Sequence, residues 1–545
     1  MKKYTLITTL LFAYIMPASY AQNIEILKEL NSTGTGNSYP FDFTIANQKL
    51  FFIAAGNSGS YSLWITKGTS ASTKTISPTT GTINNIPDIV SYNNNIYFAY
   101  DDGVHGNELW ISDGTVAGTV LFKDLYAGST GSYPQAFTVA NNKLFFMASG
   151  VDGERRLYVS DGTKGGTKII KNYFISLFNG MSDFAVLNND IYFNSDNGTG
   201  SGTGLWKSNG SLSGTVLVKP DIFPGTTGGN YAVLNNKLYF SAFDYTNGSE
   251  LWVSNGTNAG THIVKNLSAD GSGILGNGAP QNLKVYNNKI YFQAKDDAHG
   301  NELFVTDGTK AGTQLVKDIV PGTDGSLPYV SIVYKNLLYF FCYATDELWK
   351  TDGTAAGTKL VKDGLADARI TAVWNNKLYF IVNSDYAVWQ SDGSNAGTVP
   401  VALQNTANPV YSLNSDFRFL VYKGDLYFSG NCSVITSGYE PCKLNATPSP
   451  LAAFSFTDQV EQKLKPENTD NITALYNAGN KQIIINNKNQ ISFTWQLVSI
   501  NGNFISKGKS SNTITSIPAE NIAAGTYILI CTSAFKAEKI RLGIL

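Results

Sequence analysis

Few residues in this sequence have the type and spacing for chemistry. The three histidines are His105, His262 and His299. His105 and His299 occupy the same place in two similar strings, DGVHGNELW and DDAHGNELF. A shared metal needs ligands that converge on one point, and equivalent positions of distant repeats do not converge. The loop DDGVHGNE carries Asp101, Asp102 and Glu108, with parallels at Asp296, Asp297 and Glu302. Oxygen-rich loops can hold Ca²⁺, but this spacing matches no defined calcium loop, so solvated turns are expected. No Ser, His and Asp can be grouped into a nucleophile set. The reading is therefore no catalytic residue, no metal and no cofactor. The four cysteines, Cys342, Cys432, Cys442 and Cys531, follow neither a zinc pattern nor CxxC. They read as buried thiols, or Cys432 and Cys442, which flank one loop, pair in an oxidising compartment.

The dominant signal is a repeat that would hold any such residues in place. Residues 107–124 read NELWISDGTVAGTVLFKD, residues 301–318 NELFVTDGTKAGTQLVKD, and residues 347–363 ELWKTDGTAAGTKLVKD. Further copies start near Leu63, Leu157, Leu205, Leu251 and Val388. The period of roughly 45 residues suits a propeller blade. Each unit divides into strands a to d. A short strand a meets strand b across an Asn-Asn pair, as in ANNKLFF and LNNKLYF. Asn tolerates the positive φ that a two-residue hairpin turn demands. Strand c is the ELWxS run and strand d the TxLVKD run, joined by DGTxAGT. Consecutive apolar residues in strand c, such as Leu109, Trp110 and Ile111, imply a sheet buried on both faces. The recurring aromatic slot (Trp64, Trp110, Tyr158, Trp206, Trp252, Phe304) reads as packing between blades rather than as a ligand cage.

The ends of the repeat array set the topology. Residues 24–46 match residues 119–140, so the array begins with a strand d. The last copy supplies Phe417–Tyr422, Asp425–Ser429 and a worn strand c, GYEPCKLN, but no strand d. The N-terminal strand fills that gap and removes the open edges. The expectation is an all-β chain: one nine-bladed propeller over 22–446, or eight-bladed if the worn copy packs differently. A linker over 447–466 and a small β-sandwich over 467–545 follow.

Composition agrees. Charged residues make up 15% of the chain against the roughly 25% usual for soluble domains. Gly (52) and the aromatics Tyr and Phe (30 each) supply turns and strands. The net charge of −1 leaves no footprint for nucleic acid. Residues 1–21 read as a signal peptide: Lys2 and Lys3, an apolar run from Tyr4 to Met16, then Ser19-Tyr20-Ala21 before Gln22. No later stretch reaches 18 apolar residues, so no transmembrane helix is expected.

The repeated ELWxxDGTxxGTxLVKD string resembles the ELWxxDGT repeat family of secreted bacterial proteins, over residues 23–445. The family is defined by its repeat, so the resemblance implies a fold and export rather than an activity. Lys67 in the Asp slot, Ser72 in the second Gly slot, and Asn209 and Asn255 depart from the pattern and argue against a uniform ring of metal-binding Asp. From about Asn468 the chain resembles the type A sorting domain of the type IX secretion system. The match rests on LVSINGNFISKG at 497–508 and IPAENIAAGTYILICTSAFKAEKIRL at 517–542. Gly502, Gly525, Tyr527, Lys536 and Lys539 fill the motif positions. The resemblance implies recognition by type IX machinery at the outer membrane, followed by release or attachment at the cell surface.

Two enzyme propeller families fit poorly. Sialidases need an Arg cluster, and the repeats hold only Arg155 and Arg156 in blade 3 and Arg369 and Arg418 in blades 8 and 9. Quinone-dependent dehydrogenases share a Gly-x-x-Leu-Trp turn but use a vicinal Cys pair that is lacking here.

The a–b and c–d connections share one face and are monotonous. The b–c and d–a connections share the other and vary, at 126–135, 195–204, 223–231, 268–282, 321–329 and 430–440. Function concentrates on variable loops over a rigid scaffold. Tyr133, Tyr231, Asn277, Tyr329 and Tyr439 are the candidate contacts. The expected function is an exported binding or adhesion propeller for a glycan or protein. The alternative is a secreted glycan-active hydrolase or lyase using the same face.

Overall fold

A computed structural model describes residues 24–445 except 32–36, 79–80, 84–88, 151, 172–183, 197–202, 226–230, 268–279, 383–386, 402–410, 413–418 and 433–437. Beyond them it describes 472–544 except 478–481, 488–491, 500–503, 513, 519–524 and 534–536. The chain divides into two compact units, residues 1–446 and 447–545.

Every a–b turn takes the conformation that its residues favour. Both turn residues have positive φ in Asn93-Asn94, Asn141-Asn142, Asn188-Asn189, Asn235-Asn236, Asn287-Asn288 and Asn375-Asn376. Asn47-Gln48, Lys335-Asn336 and Lys423-Gly424 do the same in the remaining blades. Around each turn hangs an antiparallel sheet in the order a-b-c-d. Blade 6 is typical, with strands Gln281–Tyr286, Lys289–Asp296, Gly300–Thr306 and Gln314–Lys317. A register shift recurs between strands c and d beside the aromatic slot, at Leu109/Trp110, Leu251/Trp252 and Leu303/Phe304. Such bulges strengthen strand twist, which suits blades stacked around an axis.

The c–d turn explains DGTxAGT. The Asp113 carboxylate accepts the Thr115 backbone N–H at 2.8 Å and the Thr115 hydroxyl at 2.7 Å. A Cβ on Gly118 would lie 2.2 Å from Asp113 Oδ1, so the second Gly makes room for the carboxylate. Where Lys67 replaces Asp, Ser72 replaces that Gly. Its hydroxyl accepts the backbone N–H groups of Lys67 (3.0 Å) and Thr69 (3.2 Å).

Strand b is buried on both faces, and Leu50, Phe51, Phe52 and Ile53 are fully enclosed. Each core cluster spans two neighbouring blades. Tyr239, Leu251 and Val253 of blade 5 pack with Ile290, Phe292 and Phe304 of blade 6. Trp64, Trp110, Tyr158, Trp252 and Phe304 are buried at these interfaces, so the aromatic slot is packing. At roughly 25 cal/mol per Å² of apolar surface, such interfaces supply the main force holding the ring together.

The ring has nine blades, not eight. The worn copy keeps strands Leu420–Tyr422, Asp425–Asn431 and Glu440–Leu444. Its strand d is the N-terminal Ile24–Ile26, paired antiparallel as Ile24↔Leu444, Glu25↔Lys443 and Ile26↔Cys442. Further bonds cross from blade 9 to blade 1. Lys28 Nζ donates to Thr73 O (2.7 Å), the Tyr422 hydroxyl to Gln48 O (2.6 Å) and Lys443 Nζ to Gly68 O (3.2 Å). Cys432 and Cys442 form a disulfide within this closing blade; Cys342 is a buried free thiol, and Cys531 is buried as well. A short strand, Tyr411–Ser412, also joins blades 8 and 9 into one sheet.

The second unit contains two antiparallel sheets. One pairs Ile472–Asn477, Gln482–Asn487 and Ile514–Pro518; the other pairs Phe504–Ser510, Phe493–Ser499, Gly525–Ser533 and Ala537–Ile544. Ile483, Ile485 and Ile517 are buried from the first sheet, and Leu497, Leu529 and Cys531 from the second. No helix among the described residues is long and apolar enough to cross a membrane.

Candidate binding face

Antiparallel order places all b–c and d–a connections at one end of the ring. Three d–a loops there share a tail: GNSYP at 36–40, GSYP at 131–134 and GSLP at 325–328. Each follows a strand c with Glu at or near its start (Glu108, Glu302 and Glu440), and that Glu is the reason for the resemblance.

Glu108 is fully buried. Its carboxylate accepts the backbone N–H of Leu125 (2.8 Å) and Tyr126 (3.1 Å) and the Ser132 hydroxyl (2.7 Å). Glu302 accepts Val320 N–H (2.9 Å), Ser326 N–H (3.0 Å) and the Ser326 hydroxyl (2.6 Å). Glu440 accepts Leu30 N–H (3.0 Å) and the Ser38 hydroxyl (2.7 Å). Burial raises all three carboxyls above their ordinary range, against the pull of these hydrogen bonds. The loop is latched a second time through its backbone. Asn107 O accepts the N–H of Ser132 (2.9 Å) and of Tyr133 (3.0 Å), and Tyr439 O does the same for Ser38 and Tyr39.

The latch forces the next residue into a conformation that bulky side chains avoid. Tyr39, Tyr133 and Leu327 have φ of 44°, 51° and 53°. Such strain costs about 1–3 kcal/mol per residue and persists only where the surroundings impose it. The result is display. Tyr133 is 45% exposed and Leu327 36%. Tyr39 instead stacks on Tyr439, with centroids 6.2 Å apart and planes 20° apart.

The structure distributes the sequence candidates unevenly. Tyr133 stands on a latched loop. Tyr439 carries the carbonyl that anchors another and stacks with Tyr39. Tyr329 follows the third latch, 5.8 Å from Tyr343 and 5.8 Å from the Arg369 guanidinium. Burial pushes the Tyr343 phenol up to about 12. Tyr231 turns inward beside Phe240, at 5.9 Å, with its hydroxyl enclosed. Asn277 lies outside the described residues. In the second unit, Gly525 opens a strand and Tyr527 is in register with Leu542 and Ser499; Lys539 lies opposite Ile530. Gly502 and Lys536 lie outside the described residues.

One expectation is corrected. The DDGVHGNE loops are not wholly solvated turns, because Glu108 and Glu302 are enclosed latch posts. Their Asp-rich halves do close on themselves at the surface. Asp102 Oδ1 accepts Val104 and His105 N–H, and Oδ2 lies 2.7 Å from His105 Nδ1. Partial burial opposes ionisation of Asp102, but the His105 bonds prevail and hold its carboxyl below the ordinary range. His105 and His299 belong to blades 2 and 6, and no group of three metal-ligating side chains gathers among the described residues.

Sequence reasoning read Glu108 and Glu302 only as parts of acidic loops and missed Glu440, Ser38, Ser132, Ser326 and Tyr39. A signal existed: the GSYP-type tails follow repeats with Glu before the Leu or Pro of strand c, as in GNELW, GNELF and GYEPC.

Neither a family model nor a curated protein matches the sequence. Solved structures match with low similarity. One is described as two prolyl endopeptidases (10% identity, TM-score 0.35, 65% of this chain and 54% of that one). Another is a puromycin hydrolase S511A mutant complexed with PGG (11%, TM-score 0.35, 83% and 58%). A third is PorZ of Porphyromonas gingivalis, described as a surface component of the type-IX secretion system (12%, TM-score 0.23, 93% and 82%). The chain thus spans little more than half the length of the first two.

Proposed function

We propose that this chain is an exported display propeller whose b–c and d–a face binds a glycan or protein without catalysis. The reading rests chiefly on the latched loops, in which buried carboxylates hold strained residues at the surface. Preorganised contacts of this kind lower the ordering cost of binding. Tyr, Ser, Gly and Asn around them provide stacking and adaptable hydrogen bonds.

Delivery by a type IX sorting signal in residues 467–545 is the second part of the proposal. It is supported by the motif resemblance around Gly502, Gly525, Tyr527, Lys536 and Lys539. A reporter fused to residues 447–545 should reach the medium or surface of a bacterium carrying that system. Retention of the fusion in the periplasm would refute this part. For the binding face, the test is a glycan and protein array probed with the mature propeller and with a Tyr39→Ala, Tyr133→Ala, Leu327→Ala variant. Loss of signal in the variant supports the reading, and an unchanged signal opposes it.

A further inference from the structure

The net charge of −1 conceals an uneven distribution along the ring axis. On the uniform face, lysine opens strand b in five blades: Lys49, Lys143, Lys237, Lys289 and Lys377. Lys335 and Lys423 lie within the a–b turns of two others. At the c–d turns, Lys67, Lys164 and Lys310 lie in the connection, and Lys74, Lys168 and Lys359 open strand d. The acidic residues mixed among them are chiefly the turn aspartates. Their oxygens already serve the turn, as Asp113 does for Thr115 and Asp307 for Thr309. The other face has the opposite balance, with Asp101-Asp102, Asp296-Asp297, Asp152 and Glu154 on its loops.

Four of the lysines at the a–b turns are held in place. Lys49 Nζ donates to Asp113 O (3.0 Å), Lys143 to Asn209 O (3.0 Å), Lys335 to Asp392 O (3.1 Å) and Lys423 to Lys67 O (3.1 Å). Each bond crosses to the following blade. An ammonium has three donors, so each retains others for a ligand. These four ammonium groups are therefore fixed in position before any ligand arrives.

Inside that ring lies an apolar one. Strand a is innermost, because the a strands of neighbouring blades approach one another around the axis. The second residue before the a–b turn is an exposed β-branched aliphatic in every blade except that of Ser91. Examples are Ile45 (40% exposed), Val139 (41%), Val233 (44%) and Val421 (43%). These aliphatic side chains are only partly covered by their own blades. Concentrated in one ring, they form a patch of the kind that marks an interaction site.

A basic ring around an aliphatic centre fits an amphipathic anion better than a purely polar polyanion. We propose that the uniform face docks on a lipid leaflet carrying anionic phosphate headgroups. The lysines meet the phosphates and the aliphatic ring meets the acyl region. This inference is independent of what the opposite face binds, and docking in this orientation presents that face outward.

The test is sedimentation of the mature full chain with vesicles. The expected result is pelleting with phosphatidylglycerol-containing vesicles, little with pure phosphatidylcholine, and release at high salt. A Lys237→Gln, Lys289→Gln, Lys310→Gln, Lys359→Gln variant should bind roughly a thousandfold more weakly. Val139→Ser with Val233→Ser should also weaken binding, whereas Lys295→Gln on the other face should not. Inorganic phosphate at millimolar concentration should compete poorly, because a leaflet presents many phosphates at once. Failure to pellet with anionic vesicles overturns the proposal, as does binding unaffected by the lysine variant. So does tighter binding to soluble heparin that is indifferent to the valine substitutions, which would mean a polyanion site.

Discussion

Glu108 accepts the Ser132 hydroxyl at 2.7 Å, from a strand c to the loop that follows it. The same bond joins Glu302 to Ser326 and Glu440 to Ser38. The last spans the junction where the ring closes. A residue that marks the repeat as a motif therefore also shapes the variable loops.

Removing the Glu108 side chain strands two backbone N–H groups and one hydroxyl. Glu108→Ala should destabilise the protein by about 3 kcal/mol, since a buried unsatisfied group costs roughly 1–3 kcal/mol. Ser132→Ala should cost about 1 kcal/mol. Denaturant titration measures both. The loop at 126–133 should gain protease sensitivity in Glu108→Ala well below the global transition.

The latches also set a pH dependence. Glu108, Glu302 and Glu440 have folded-state affinities for protons above the unfolded value near 4.5. A raised carboxyl contributes stability that is present below that value and lost as pH rises through the folded one. Gln does not titrate. The melting temperature of a Glu108→Gln, Glu302→Gln, Glu440→Gln variant should therefore gain on that of the parent as pH rises from about 4.5. The turn aspartates Asp113 and Asp307 have the opposite sign. Their hydrogen bonds to Thr stabilise the fold above pH 4, and that stability is lost in acid.

Blade 1 offers a direct check on the c–d turn. Ser72 sits where a Cβ would collide with an Asp at position 67, by analogy with Gly118 and Asp113. Lys67→Asp alone should be destabilising or neutral, and Ser72→Gly alone should lose the bonds to Lys67 and Thr69. Together they rebuild the DGT turn, so the double-mutant cycle should show favourable coupling of about 1–2 kcal/mol.

Much of this was legible in the sequence because repetition multiplies weak signals. The Asn pairs, the DGT turns and the missing strand d at one end of the array sufficed for nine blades and for closure by Ile24–Ile26. The latch was not legible in the same way. Glu beside Leu-Trp looks like a surface residue of strand c, since isolated carboxylates are seldom fully buried. Its burial follows from partners 17 to 24 residues downstream, which no local pattern announces. Tyr231 was misjudged for a related reason: in the variable loops, distance from the core was inferred from composition, whereas its ring packs against Phe240.

Closure makes a further prediction. Cys432 and Cys442 lie 10 residues apart. By loop entropy their bond contributes about 3 kcal/mol. Cys432→Ser with Cys442→Ser should loosen the blade that holds the N-terminal strand before any other. Hydrogen exchange should show Ile24–Ile26 and Glu440–Leu444 losing protection first.

The most direct test of the binding account is the array comparison of parent propeller, Tyr39→Ala/Tyr133→Ala/Leu327→Ala, and the four-lysine variant of the uniform face. The account predicts that glycan or protein signals seen with the parent survive the lysine changes and disappear with the loop changes. Signals that survive the loop changes and disappear with the lysine changes would contradict it.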